Sequence, residues 1–253
     1  MDTLATIRSL RSGFVPRTQA QAFAALKRGL VEEAVCVWRS VNVRPILEEP
    51  WDLDEIERLL AREQLDEATV LALVRIFDRL SRGPDKEAAL FAAESLNALE
   101  LRYERRVQRL RKGLKARPSA QATLQLAEAY RALSLACGSR PVLARFYLGE
   151  ALAALDGGKS GGMSERDRRS IAVAASGLLV ELGNPEGALE RLASPLARTP
   201  SDPALRLAEA RARFAARDFP AVARVLEEAE PIPGDPDSDR LAVLRDCWRR
   251  VSH

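Results

Sequence analysis

Thirty-four residues after Gly183-Asn184 the chain reads Arg217-Asp218, and the residues around the two sites keep step. Ala172-x-x-Ala175-Ser176-x-x-Leu179 leads into the first, Ala188-x3-Leu192 follows it, and Pro200 closes the unit. Val222-x3-Leu226-x-x-Ala229 follows the second, and a Pro/Gly-rich stretch begins at Pro231. A period of this length, with small residues where helices would cross, marks a helix–turn–helix unit. Such a pair has an apolar face that it cannot bury alone, so pairs stack into an array with an extended concave surface. The period therefore predicts an all-α chain, a right-handed α-solenoid of antiparallel helix pairs. Surfaces of this kind hold other proteins.

The residue usage agrees. Ala, Leu, Arg and Glu dominate, aromatics are 5%, and period-two alternation of β-branched residues is hard to find, a balance that favours helix over strand. Net charge is +3, from 39 basic and 36 acidic residues, so no global polyanion partner is implied. Cys36, Cys137 and Cys247 are odd in number and lack a CxxC; they read as reduced, mostly buried thiols of a cytoplasmic protein. The N-terminus lacks a basic segment followed by an apolar core. The longest apolar run, 171–180, is interrupted by Ser176-Gly177 and falls short of the roughly 20 residues of a membrane span.

Along the chain, the spacing predicts helices over about 18–28 and 31–41, joined at Gly29 in a first pair within an N-terminal region of residues 1–83. Pro45 and Pro50 interrupt, Asp52 or Asp54 caps a short helix, and Asp66 caps one bearing Val70, Leu73, Val74, Phe77 and Leu80. Region 84–155 begins at Gly83-Pro84-Asp85 with a helix reaching about Arg117, and continues with an irregular pair, to about Ala136 and over 142–155, in which Ala144-x3-Leu148-x-x-Ala151 repeats the crossing spacing. Residues 156–168, with Gly157, Gly158, Gly161 and Gly162, read as a flexible linker. Region 169–253 holds two regular pairs and a helix over about 237–251 that would cap the stack.

These residues resemble the tetratricopeptide repeat superfamily. Ser176, Ala127 and Ala210 match its small first-helix residue, Ala188, Ala144 and Ala34 match its second-helix alanine, and Pro200 matches its closing proline; Val222 departs from the pattern. The stretch 85–96, with Ala88-Ala89 and Ala92-Ala93, looks more like a HEAT-type helix. Phe91-Ala92-Ala93-Glu94-Ser95-Leu96-Asn97-Ala98-Leu99-Glu100, running to Arg102-Tyr103, and Phe146-Tyr147-Leu148 are similar to PelE-type proteins of bacterial Pel exopolysaccharide assembly. That likeness implies a place in an exopolysaccharide or envelope complex. The membrane helices those proteins carry ahead of their repeats are not found in this sequence.

Chemistry has few residues to work with. The only histidine is His253, the last residue, so Ser-His-Asp, Cys-His and His-ligated metal sites are not expected. Gly158-Lys159-Ser160 lacks the earlier glycine and the preceding strand of a phosphate loop. Asp156 to Asp167 has the length of a calcium loop but not its ligands. Adjacent carboxylates such as Glu32-Glu33 and Glu227-Glu228 diverge on a helix and form no acid–base pair. No catalytic, cofactor or metal site is expected, and the chain reads as non-enzymatic.

Two surfaces remain. In stacked pairs the first helices line the concave side, which selects Leu124, Glu128, Arg131, Val173, Val180, Leu207, Arg211 and Phe214 as contacts for a peptide or helix of another protein. Apolar members of such a stripe also serve as ordinary core. The Lys/Asn pattern by which some of these repeats hold a C-terminal carboxylate is absent. The second surface is a basic strip within 102–117, namely Arg102, Arg105, Arg106, Arg109 and Lys112. It supports the rival expectation of a nucleic-acid-binding helical repeat protein. A solvated face or protein-binding rim complementing the helix dipole, and a face toward anionic lipid, are the other readings of that strip, which has only Tyr103 as an aromatic platform.

Overall fold

The computed structural model describes residues 56–251, apart from 58–59, 63–64, 139, 158–162 and 231. The helix pair expected near 17–45, Cys36 and the cap at Asp52 or Asp54 lie outside the described residues. The rest is all-α, with no strand among the described residues. Nine helices are described: α1 (Glu67–Ser81), α2 (Lys86–Ala116), α3 (Ala120–Ala136), α4 (Pro141–Gly157), α5 (Glu165–Glu181), α6 (Pro185–Arg198), α7 (Pro203–Ala215), α8 (Phe219–Glu228) and α9 (Pro236–Val251). The chain divides into two compact units, the first being 1–102 with 135–140, the second 103–134 with 141–253.

In the first unit, Asp66 caps α1 by accepting from the Thr69 amide at 2.8 Å, as its position before an apolar periodic run requires. The i, i+3, i+4, i+7 stripe buries Val70, Leu73, Val74 and Phe77. Phe77, Leu73 and Ile76 form a core with Ile56 and Ala92, and Phe91 meets the Phe77 ring edge-on at 6.1 Å. Asp85 starts α2 by accepting from the Glu87 amide at 2.9 Å and, more weakly, from Ala88 at 3.3 Å.

The second unit is a two-layer stack. α5 packs on α4, α6 and α7, α7 packs on α6, α8 and α9, and α8 also meets α9. Each first helix thus touches its own partner and the first helix of the next pair. That places α5, α7 and α9 in one layer with α4, α6 and α8 in the other. α9 takes the place of a further first helix, as expected of the capping helix. The small residues at the crossings are buried: Ala127, Ser176 and Ala210 on first helices, Ala188 with Leu192 and Val222 with Leu226 on second helices. Their size lets helix backbones approach closely. In α4 the buried residues are Leu148, Ala151 and Leu155 while Ala144 is half-buried, so the crossing there sits further along the helix.

The thirty-four-residue offset is a repeat of hydrogen bonds. Gly183 has φ 81° and Arg217 φ 61°. The Gly183 and Asn184 amides donate to the Val180 and Leu179 carbonyls at 3.0 and 2.8 Å; those of Arg217 and Asp218 donate to Phe214 and Arg213 at 3.0 and 2.9 Å. This is the Schellman closure of a helix. Asn184 then accepts from the Gly187 amide at 2.9 Å, and Asp218 from Ala221 at 3.2 Å, capping α6 and α8. The residue pattern codes one turn twice, with glycine in the left-handed position only the first time.

The linker is shorter than the sequence suggested. α4 continues through Asp156 and Gly157, and Ser164 caps α5, its hydroxyl accepting from the Asp167 amide at 3.1 Å while donating to the Asp167 carboxylate at 2.7 Å. Residues 165–168 are therefore helical, because Ser164-x-x-Asp167 is a reciprocal cap. Only 158–164 separate the helices. The thiols also differ from expectation: Cys137 is buried, but Cys247 is exposed on α9.

Two substitutions test this architecture. The Arg217 side chain is exposed and makes no hydrogen bond or ion pair among the described residues, while a side chain in the left-handed region costs about 1–2 kcal/mol. Arg217→Gly is expected to raise stability by about 1 kcal/mol, seen as a melting temperature about 2–4 °C higher. Ser176 is 1% exposed and its hydroxyl has no hydrogen-bond partner, whereas Ala127 and Ala210 fill the matching sites with alanine. Ser176→Ala is expected to be neutral or stabilising, by up to about 1 kcal/mol; a loss above that in a denaturant titration would overturn this reading of the crossing.

Candidate interaction surface

The first helices of the second unit meet at one carboxylate. Glu181, the last residue of α5, accepts from Arg131 Nε on α3 at 2.8 Å through one oxygen and at 3.0 Å through the other. Arg211 on α7 reaches the first of those oxygens through Nη2 at 3.3 Å. Glu181 is 19% exposed, Arg131 28% and Arg211 55%. α3 thereby joins the row of α5 and α7, and three successive first helices are tied in register. Arg131 and Arg211 were both selected from the sequence; Glu181 was not. It stands beside Val180 at a helix end, and nothing in the sequence marks it as the shared partner of arginines 50 and 30 residues away.

On the same helices, Leu124 on α3 and Val173 and Val180 on α5 are half-buried, and Glu128 is exposed. The surface is mixed, with apolar side chains that are neither core nor fully free. Leu207 packs instead against the core of Ala210, Val222, Val225, Leu226, Ala229 and Leu241. Phe214 is 56% exposed. Its ring lies 5.7 Å from Phe219 and 6.4 Å from Trp248, with Phe219 and Trp248 6.2 Å apart. The sequence reading named Phe214 and missed the other two; Phe219 follows Phe214 across the turn, and that spacing was the available signal.

A second knot lies between α7 and α8. Glu209 is buried, and accepts from Arg206 and Arg213 at 3.0 Å each. Arg206 also donates to the Pro200 carbonyl at 2.6 Å and Arg213 to Asp218 at 3.3 Å. A polar cavity of about 120 Å³ opens beside them, lined also by Arg224 and Glu228. Four helices back, Glu150 on α4 bonds Tyr130 and stands 3.6 Å from Arg111 on α2. Burial, aided by that carboxylate, holds the Tyr130 hydroxyl above its ordinary pKa.

The basic strip is not one uniform feature. Arg102, in the first unit, is spent on backbone carbonyls, donating to Leu60 and, at 2.9 Å, to Arg62. It is not available as a phosphate contact, because it satisfies carbonyl groups at the end of the preceding helical segment. Arg105, Arg106, Arg109 and Lys112, in the second unit, are exposed on the side of α2 opposite the buried Tyr103 and Val107. None of the four has an ion pair among the described residues.

Among the described residues no group of three His, Cys, Asp or Glu side chains is placed to hold a metal ion, and no helix is long and apolar enough to cross a membrane. No protein-family model matches the chain, and no curated protein or solved structure is significantly similar to it.

The shared carboxylate makes a measurable claim. Glu181→Ala leaves Arg131 and Arg211 facing each other and is expected to cost about 1–2 kcal/mol. Arg211→Ala, at an exposed position, should cost less than about 1 kcal/mol. In a double-mutant cycle, Arg131→Ala with Glu181→Ala should be milder than the two losses added. Strict additivity would mean that the bridge does not form.

Proposed function

We propose that the chain is a non-enzymatic adaptor of the tetratricopeptide-repeat kind, acting in the cytoplasm, that holds a peptide or helix of another protein along the face of α3, α5 and α7. The observation that carries this reading is the Arg131–Glu181–Arg211 bridge, which fixes three first helices as one surface carrying half-buried Leu124, Val173 and Val180 and exposed Glu128. The matched turns at Gly183 and Arg217 support the repeat class. The likeness to PelE-type proteins makes an exopolysaccharide assembly complex the first place to look for the partner.

The test is a comparison of captures from the source cells, quantified by mass spectrometry. A specific partner should be retained by the wild type and by Arg105→Glu/Arg109→Glu on α2, and lost with Glu128→Arg/Val173→Asp. Circular dichroism must show all three proteins folded. A partner retained equally by every variant would remove this face from consideration.

The unpaired side chains of Arg105, Arg106, Arg109 and Lys112 favour a second reading, nucleic-acid binding through α2. Four phosphate contacts on a single strand give a log–log salt slope of about −3. The adaptor reading expects binding to oligonucleotides that is weak and gone by about 0.15 M salt. Tight binding with the full slope, abolished by Arg105→Glu/Arg109→Glu, would favour the α2 reading.

A further inference from the structure

The turn joining α7 to α8 carries three residues that its counterpart one repeat earlier does without. Where α5 has Val180, α7 has Phe214; where the first turn has Gly183, the second has Arg217; where α6 begins with Pro185, α8 begins with Phe219. The backbone closure is the same in both, so the turn itself does not require these side chains. A Cβ at Gly183 would meet nothing within 4 Å, and glycine there relieves the positive φ. Arg217 bears the strain of that conformation, and its exposed side chain makes no hydrogen bond or ion pair among the described residues. Phe219 is 46% exposed, slightly less than Phe214, and both rings meet Trp248 on α9. Leu244, one turn before Trp248, is exposed too. Arg211, one turn before Phe214, is already held on Glu181 of α5, which leaves Arg217 as the cation of this turn without a side-chain partner among the described residues. Trp248 also packs against the core of α7, α8 and α9, but the strained Arg217 and the exposed ring surface beside it exceed what that packing requires and mark a place where something binds.

We propose that Phe214, Phe219 and Trp248, with Arg217 in the turn between the two phenylalanines, are the anchor site for an acidic amphipathic segment of a partner protein. The proposal rests on the adaptor reading and gives its partner a chemistry. Apolar side chains of the segment sit on the exposed parts of the three rings, and a carboxylate faces the Arg217 guanidinium. Arginine suits this task because its fork pairs with a carboxylate while its plane lies against apolar surface. The ring geometry argues against nucleic acid: the interplanar angles are 61°, 80° and 42°, two edge-to-face and one tilted, so the rings offer no row of parallel faces for bases.

The experiment uses the full chain and a labelled synthetic peptide of about twenty residues, with leucine and phenylalanine on one helical face and glutamate on the other. Its lysine counterpart and a single-stranded oligothymidylate serve as alternative ligands, read by fluorescence anisotropy at low salt. The glutamate peptide is expected to bind at least about tenfold more tightly than the lysine peptide. Phe219→Ala should weaken it about tenfold, as loss of an aromatic anchor does. Arg217→Gly should weaken it about threefold at low salt while melting no lower than the wild type. Equal binding of the two peptides, tighter binding of the oligothymidylate, or affinity unchanged in both variants overturns the proposal. So does a concentration-dependent dimer that Phe219→Ala dissolves, since a second copy would then occupy the site. If both variants still bind the peptide and Glu128→Arg/Val173→Asp abolishes binding, the partner lies along α3 and α5: the adaptor reading stands and the anchor falls. If no variant on either face matters, both fall.

Discussion

Everything in the second unit depends on helices approaching closely enough for one pair to bury the next. A two-helix unit of this length has no interior of its own; its apolar stripe is covered only when a neighbour lies on it. The contact points are Ala127, Ser176, Ala188 and Ala210, all buried. A larger side chain at any of them would push two backbones apart and open a gap along both helices, because packed interiors do not absorb added volume. At Ser176 a small hydroxyl is kept although no partner satisfies it. Size decides the choice there, and polarity is tolerated.

Close packing sets the distance between helices but not their register, since an apolar stripe can slide by a turn at modest cost. The register is fixed by carboxylates shared between elements. Glu181 ties α5 to α3 and α7, and Glu150 ties α4 to α2 and α3; buried Glu209, held by Arg206 and Arg213 of its own helix, braces α7 alone. A carboxylate with two oxygens and several lone pairs can hold two donors from different helices, and arginine brings a planar fork that rewards one geometry over others. Such pairs add little net stability when exposed, and partial burial makes losing one partner costly. The nearly balanced composition, 39 basic against 36 acidic residues, therefore reflects internal ties as much as solubility.

The legible parts of the chain were those with short-range physical causes. Asp66, Asp85, Ser164, Asn184 and Asp218 each accept from an amide two or three residues on, so caps and boundaries could be read locally. The small-residue crossings carried the repeat. Position 156–168 was overextended as a linker because glycine content was weighed above the Ser164-x-x-Asp167 cap. Arg131, Arg211 and Phe214 could be placed on first helices by periodicity. Their partners Glu181, Phe219 and Trp248 could not, since the pairings join residues on different helices and no periodic signal spans them. Arg102 was misassigned for the same reason: its carbonyl partners at Leu60 and Arg62 lie 42 and 40 residues away.

A sequence that specifies one fold is usually consistent at every level, and local violations gather where another demand is being met. The cores of α6 and α8 follow the repeat pattern. α6 and α8 begin at capped turns with proline in the first turn, and bury Ala188, Leu192, Val222 and Leu226. Val142 and Phe146 on α4 are exposed as well, but exposure joins backbone strain only at the turn from α7 to α8: a strained arginine at 217, two half-exposed phenylalanines on either side of it, and a tryptophan on α9 with exposed Val243 and Leu244 nearby in sequence. A capping helix is ordinarily polar on its outer side, because it ends the stack in water. An end that is apolar and aromatic has not been finished for water, and exposed Arg217 beside it gives that end a positive charge. On these grounds the proposed anchor lies at the turn between α7 and α8, beside α9, where the repeat departs from its own pattern.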